Sequence, residues 1–438
     1  MRHELARCRR WSAQAYPAGM TTRIAVAAIA IAAVLAACQR TPEPVAVPAT
    51  GDFAVQPWTL FAEPGSMAPD LSLAPDGRLL VSWLNRQQGR RTAMQFASFT
   101  EAGGWQSQPR TIAVGQSLVA NWADTPHILG TPDGALWAQW LQGSAAGPAA
   151  YDTVLARSRD GGMTWTQLTR VNDDETAAEH GFAALWPNGL DAIGIAWLDG
   201  RAQGAGDPGA HHDHAGGAMQ LRANAFDMDL QREADTVVDA RVCDCCQVDV
   251  AMTAQGPLLA YRDRGQNEER DIAVVRVRDG VGSAPVVVHA DGWKIDACPV
   301  NGPAIAAQGG EVLVGWYTEA GGVPTVRMAR SGDGGAVFAA PVDVARGAAV
   351  VGRVAVALDA EQAWISWLEE DAGGQRLLLE RHAPDLSRRL QRIEVAKLAA
   401  RGPATGIPRM VADDRGAWLA WTDVVEGAAR LQGARIRR

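Results

Sequence analysis

The sequence predicts an all-β chain folded as one β-propeller of four-stranded blades, seven of them by repeat count. Three observations predict it. A phrase recurs seven times: a short apolar stretch, a turn rich in Gly or Asp, then an apolar run closing on an aromatic. The closing aromatics Trp83, Trp140, Trp197, Tyr261, Trp316, Trp367 and Trp421 stand 57, 57, 64, 55, 51 and 54 residues apart. The chain also holds 16 Trp against 7 Phe and 4 Tyr, which marks one packing position used again and again. No long amphipathic helical pattern competes with this reading.

The N-terminal segment reads as an address. Arg23 precedes an apolar run over 24–36 and then Leu35-Ala36-Ala37-Cys38. A charged start, a short apolar core and small residues before the cut describe a secretory signal. The Cys after the cut resembles a bacterial lipobox, which implies lipidation of Cys38, and Gln39 beside it resembles the outer-membrane sorting class. Residues 1–37 are therefore expected to be removed, with Met20 the expected start. The apolar run is too short for a membrane span, which needs about 20 residues. Residues 38–56, rich in Pro, Ala and Thr, read as a lipidated tether, and 57–438 as the propeller. The expected location is the bacterial cell envelope.

The units follow. Leu71-Ser72-Leu73-Ala74-Pro75-Asp76-Gly77 leads to Val81-Ser82-Trp83. Pro132-Asp133-Gly134, Asn188-Gly189, Gln255-Gly256, Gly309-Gly310, Asp359 and Arg415-Gly416 play the same part in later units. Each unit continues with a second pair of β-like runs, such as 91–99 and 106–114. The seventh unit ends after three strands, and the run 58–62 is expected to supply its fourth. That closure removes exposed edges.

Ser158-Arg159-Asp160-Gly161-Gly162-Met163-Thr164-Trp165 and the looser Ser331-Gly332-Asp333-Gly334-Gly335-Ala336-Val337-Phe338 fall between third and fourth strands. Their physical reading is a tight hairpin: Asp accepts backbone bonds, Gly takes the left-handed turn, and the aromatic packs inward. Ser158, Asp160, Gly162 and Trp165, with Ser331, Asp333, Gly335 and Phe338, resemble the Asp box (BNR repeat) of bacterial sialidases and related propellers. That resemblance implies a sialidase-like propeller. Six blades are the family's number and the alternative to seven. It also implies an Arg-Ile-Pro phrase on the first inner strand, with an arginine that grips the sialic-acid carboxylate. Met67-Ala68-Pro69 stands there instead, and no Tyr nucleophile with a Glu partner is assignable from sequence.

Net charge is −8 for the whole chain. Residues 1–37 hold five Arg and one Glu, so their removal leaves −12. An acidic body without a basic stripe excludes nucleic acid as a partner and electrostatic docking on anionic lipid. The membrane is met through the lipid anchor only. The remaining partner classes are an envelope protein, a glycan or a small ligand, with the chain expected to be a monomer.

Strand order sorts the unusual residues onto one face, over units two to five. Cys243, Cys245 and Cys246 enter the fourth unit and Cys298 the fifth. His211, His212 and His214 lie in an insert of the third, and His127 and His180 stand at the entries to the second and third inner strands. Thiolate and imidazole suit copper or zinc, so all nine are candidate metal ligands. Four cysteines in an oxidising compartment also suit disulfides, such as Cys243 or Cys246 with Cys298. Asp263 and Glu268, in an Arg/Asp/Glu cluster that otherwise reads as a salt-bridge network, are the candidate acid and base of a glycoside hydrolase. The leading expectation is a non-catalytic lipoprotein that binds a ligand or partner on this face, with copper or zinc. A sialidase-type hydrolase with an altered clamp and an envelope scaffold are the alternatives.

Overall fold

The computed structural model describes residues 51–438 apart from 146, 148, 149, 204–216, 234, 279 and 414. Cys38 and the signal region lie outside them, as do His211, His212 and His214. Among the described residues no helix is long and apolar enough to cross a membrane.

Seven antiparallel sheets follow one another along the chain. Their inner strands are Ser66–Leu73, His127–Gly130, His180–Asn188, Asp249–Thr253, Ala304–Gln308, Val350–Leu358 and Arg409–Asp413. In the first three blades a glycine at left-handed φ, Gly77, Gly134 or Gly189, sits in the turn from the inner strand to the second. The second strands carry the repeated aromatics, and all seven are buried. The reason is geometric. A four-stranded sheet has two apolar faces, and only its neighbours in the ring can cover them. Each interface between adjacent blades holds its own cluster of apolar side chains. Trp197 stands with Trp137 between blades two and three, and Trp316 lies between four and five.

The ring closes with an N-terminal strand, placed a few residues earlier than expected. Ala54–Pro57 pairs with Ala428–Arg437, from Ala54 opposite Arg437 to Pro57 opposite Ala434. The run 58–62 is not a strand. Pro57 has no N–H to give, and Trp58 N–H makes the last backbone bond of this edge, to Gly433 C=O at 3.0 Å. Trp58 then turns inward, stacked on Trp105 at 5.5 Å between centroids and edge-on to Trp418 at 4.8 Å. It locks blade seven to blade one.

The two Asp boxes form the expected hairpins. Asp160 accepts from the Met163 and Thr164 N–H groups at 2.9 Å, and the Gly162 N–H bonds Ser158 Oγ at 2.8 Å. Gly162 has φ +83°, and a Cβ there would overlap the Phe96 ring of the preceding blade. Gly335 faces Leu258 in the same way. The box is a device for seating one blade on the previous one.

A second repeated device lies at the opposite ends of the inner strands. Ala68, Phe182 and Arg353 take left-handed φ of +53°, +51° and +55° at a bulge. Such φ is strained for a side chain larger than Gly. Each strained N–H is held by a side chain of the preceding blade: Ala68 by Thr422 Oγ1 at 3.1 Å, Phe182 by Asp124 Oδ2 at 2.6 Å, Arg353 by Asn301 Oδ1 at 2.7 Å. Met67-Ala68-Pro69 thus forms one of these kinks, at the place where the sialidase pattern has its arginine.

Candidate metal centre

The thiol loop connects Thr236–Asp239 to the inner strand of blade four. Its start is fixed by backbone. Val242 N–H bonds Met219 C=O at 2.9 Å, and Cys243 N–H bonds Arg262 C=O at 3.0 Å. Its end is fixed by Gln247, whose amide donates to Ala123 C=O at 3.0 Å and accepts from Gly302 N–H at 2.9 Å. Between these anchors the chain turns tightly. Cys243 and Cys246 point inward, 1% and 2% exposed, while Cys245 is half-buried. The three sulfurs lie within 4.8 Å of one another, with Cys243 and Cys246 2.9 Å apart. Cys298 is exposed and lies beside Cys245. All four are free thiols in this structure.

The surroundings are cationic. Arg262 is buried over the Trp293 ring at 4.9 Å and donates to Asn301 C=O and Tyr317 C=O at 2.7 Å, tying the Cys298 loop to the Cys243 loop. Arg270 is 1% exposed and gives one N–H to Glu268 at 2.7 Å, yet its Nε and Nη1 have no hydrogen-bond acceptor. Burial opposes its charge, and Cys243, Glu268 and Asp244 nearby outweigh that and raise its pKa. Burial opposes ionisation of Cys243, but hydrogen bonds from Cys245 and Cys246 and the charge of Arg262 carry its pKa well below the usual thiol range. Hydrogen bonds to Cys243 hold Cys245 far above that range, and burial raises Cys246.

The other sequence candidates divide. The described flanks of the histidine insert reach the thiol loop, Gln203 Nε2 bonding Asp244 at 3.0 Å. His127 lies elsewhere, 3.0 Å from Asp70 Oδ2, in a central cavity of about 510 Å³ that Arg409 also lines. His180 is fully buried between blades two and three, Nδ1 on Tyr151 C=O at 3.1 Å and Nε2 3.3 Å from Asp174. Asp174, His180 and Asp199 also lie close enough to share an ion. Asp199, however, already accepts from Trp197 Nε1 and three Arg201 donors. Glu268 is engaged by Arg241, Arg264 and Arg270. Burial raises its pKa, but Arg264 and Arg270 outweigh that and bring it down to about 2. Asp263 moves the other way, to about 6, chiefly by burial.

One group escaped the sequence reading. Tyr151 OH is hydrogen-bonded to Glu179, and both are coupled to Asp124. Asp124 is 3% exposed, its Oδ1 has no hydrogen-bond partner, and burial pushes it up to about 7. The three residues precede or begin strands of blades two and three, a positional signal that strand bookkeeping could have used. Ala123 C=O, which receives Gln247, places this group beside the thiol loop.

No protein-family model matches this sequence, and no curated protein matches it either. Solved structures do resemble it. The polysaccharide lyase Uly1 superposes with a TM-score of 0.50 at 9% identity, over 91% of this chain and 94% of that one. These likenesses show a fold. The phage phi92 endosialidase follows at 0.47 and 11%, over 88% and 69%. The NanB sialidase of Streptococcus pneumoniae, as its K499G mutant, gives 0.45 and 9%, over 87% and 71%. The propeller expected from the repeats and the Asp boxes stands, with seven blades rather than six.

Proposed function

We propose that this chain is an envelope-tethered, non-catalytic propeller that holds a thiophilic metal ion on Cys243, Cys245 and Cys246, copper as Cu(I) in preference to zinc. The supporting observation is the gathering of three sulfurs within 4.8 Å on a loop anchored at both ends. Soft thiolates select Cu(I) or Zn(II), and a structural zinc site takes four ligands in a tetrahedron. The compact set here is three, with Cys298 outside it, which suits the lower coordination of Cu(I). A tris-thiolate complex is anionic, and the unpaired donors of Arg270 supply buried compensating charge. The test is titration of the reduced protein with Cu(I) against a competing chelator. One ion per chain is expected, with binding lost in Cys245→Ser, a half-buried position where the change leaves the fold intact. Equal binding by wild type and Cys245→Ser contradicts the proposal.

A second reading has one observation in its favour. Asp124, with a carboxyl near neutrality beside Tyr151 and Glu179, offers the acid a glycoside hydrolase uses. Against it, Arg262 and Arg353 are bound to backbone carbonyls, and Arg409 faces Asp70 and Thr125. No cluster of free guanidinium groups for a carboxylate is assembled from these three. Turnover of an aryl sialoside that disappears in Asp124→Asn would establish this reading.

A further inference from the structure

The four thiols form a gradient of exposure. Cys298 is exposed, Cys245 half-buried, and Cys243 and Cys246 buried. Cys298 touches Cys245 yet stands outside the group of three mutually close sulfurs. Its loop is held from behind: Arg262 binds Asn301 C=O, and Gly302 N–H binds Gln247 Oε1. These anchors are three and four residues from Cys298 and hold the base of its loop against the thiol loop, with Cys298 on the solvent side. An ion approaching from solvent meets Cys298, then Cys245, and only then the buried pair.

We propose that Cys298 is the entry ligand, the residue that takes thiolate-bound Cu(I) from a donor and passes it inward to Cys245. This rests on the metal reading above. The step is ligand exchange. Cys298 releases its proton to solvent, and its sulfur bonds to the ion as a donor thiolate leaves and takes up a proton. Cys245 then displaces Cys298 in the same manner. No electron is transferred, and the ion stays Cu(I) throughout. The donor is recognised by its chemistry, a thiolate complex of Cu(I), whether a small thiol or a protein with a Cys-x-x-Cys pair.

The test is loading kinetics of the reduced full-length protein from two donors, the Cu(I)–glutathione complex and a Cu(I)-loaded Cys-x-x-Cys peptide. Cys298→Ser and Cys298→Ala are compared with wild type. Slowing on the order of tenfold in both variants is expected, with final stoichiometry and affinity unchanged. Slowing from one donor alone identifies the source. Wild-type rates from both donors overturn the proposal, and so does loss of end-point binding, which would make Cys298 a resident ligand. Wild-type protein that binds no Cu(I) overturns the metal reading itself and the entry role with it.

Discussion

At the scale of single residues, buried charge decides what the site side of the propeller does. Asp124 carries a carboxyl whose pKa burial lifts from 3.8 to about 7. The folded state therefore holds a proton there that the unfolded chain gives up above pH 4. By linkage, this group lowers stability progressively as pH rises from about 4 to about 7. Asp124→Asn keeps an acceptor for Phe182 N–H and removes the titration. The variant is expected to gain stability relative to wild type between pH 4 and 7, read by urea unfolding at several pH values. A constant difference across that range contradicts the assignment. Glu268 behaves oppositely to Asp263: its arginine partners bring it down to about 2, while burial lifts Asp263 to about 6. Glu268→Gln is expected to leave Cu(I) affinity nearly unchanged, because it acts on Arg270 and not on a sulfur, as competitive titration will show.

At the scale of elements, two repeated devices build the blades. The closing aromatics fill the gaps between sheets, and truncating a fully buried one leaves a cavity. Trp197→Ala is expected to cost about 3–5 kcal/mol in chemical denaturation. The Asp-box glycine has a stricter role, because Gly162 combines a left-handed φ with contact to Phe96. Gly162→Ala is expected to cost about 1–3 kcal/mol, and a neutral result would show that the hairpin can shift off the neighbouring blade. The aromatics were legible in the sequence because they repeat at a near-constant spacing, and the two Asp boxes because of their fixed local chemistry. The closing strand was legible only approximately. A four-residue edge strand such as Ala54–Pro57 carries little pattern, whereas Trp58 looked like strand and is in fact an aromatic wedge. The Tyr151–Glu179–Asp124 group and the role of Arg270 were not legible. They depend on which atoms face each other across blades two to four, and no local motif records that. The cysteines were recognised by residue type, and their convergence by strand order.

At the scale of the whole molecule, closure and the site are linked. The N-terminal strand and Trp58 join blade seven to blade one, and the kinks at Ala68, Phe182 and Arg353 bond each to its neighbour around the channel mouth. A chain beginning after Glu63 lacks the strand and the wedge and exposes the edge of Ala428–Arg437. Such a truncation is expected to melt at a lower temperature and to aggregate, and wild-type melting would refute the closure role. Elemental analysis of the protein purified from membranes without added reductant, combined with a count of reactive thiols, decides whether the thiol loop holds metal. About one copper per chain is expected, with thiols that become reactive when a chelator removes it. Metal-free protein whose four cysteines are all oxidised to disulfides would contradict the metal reading.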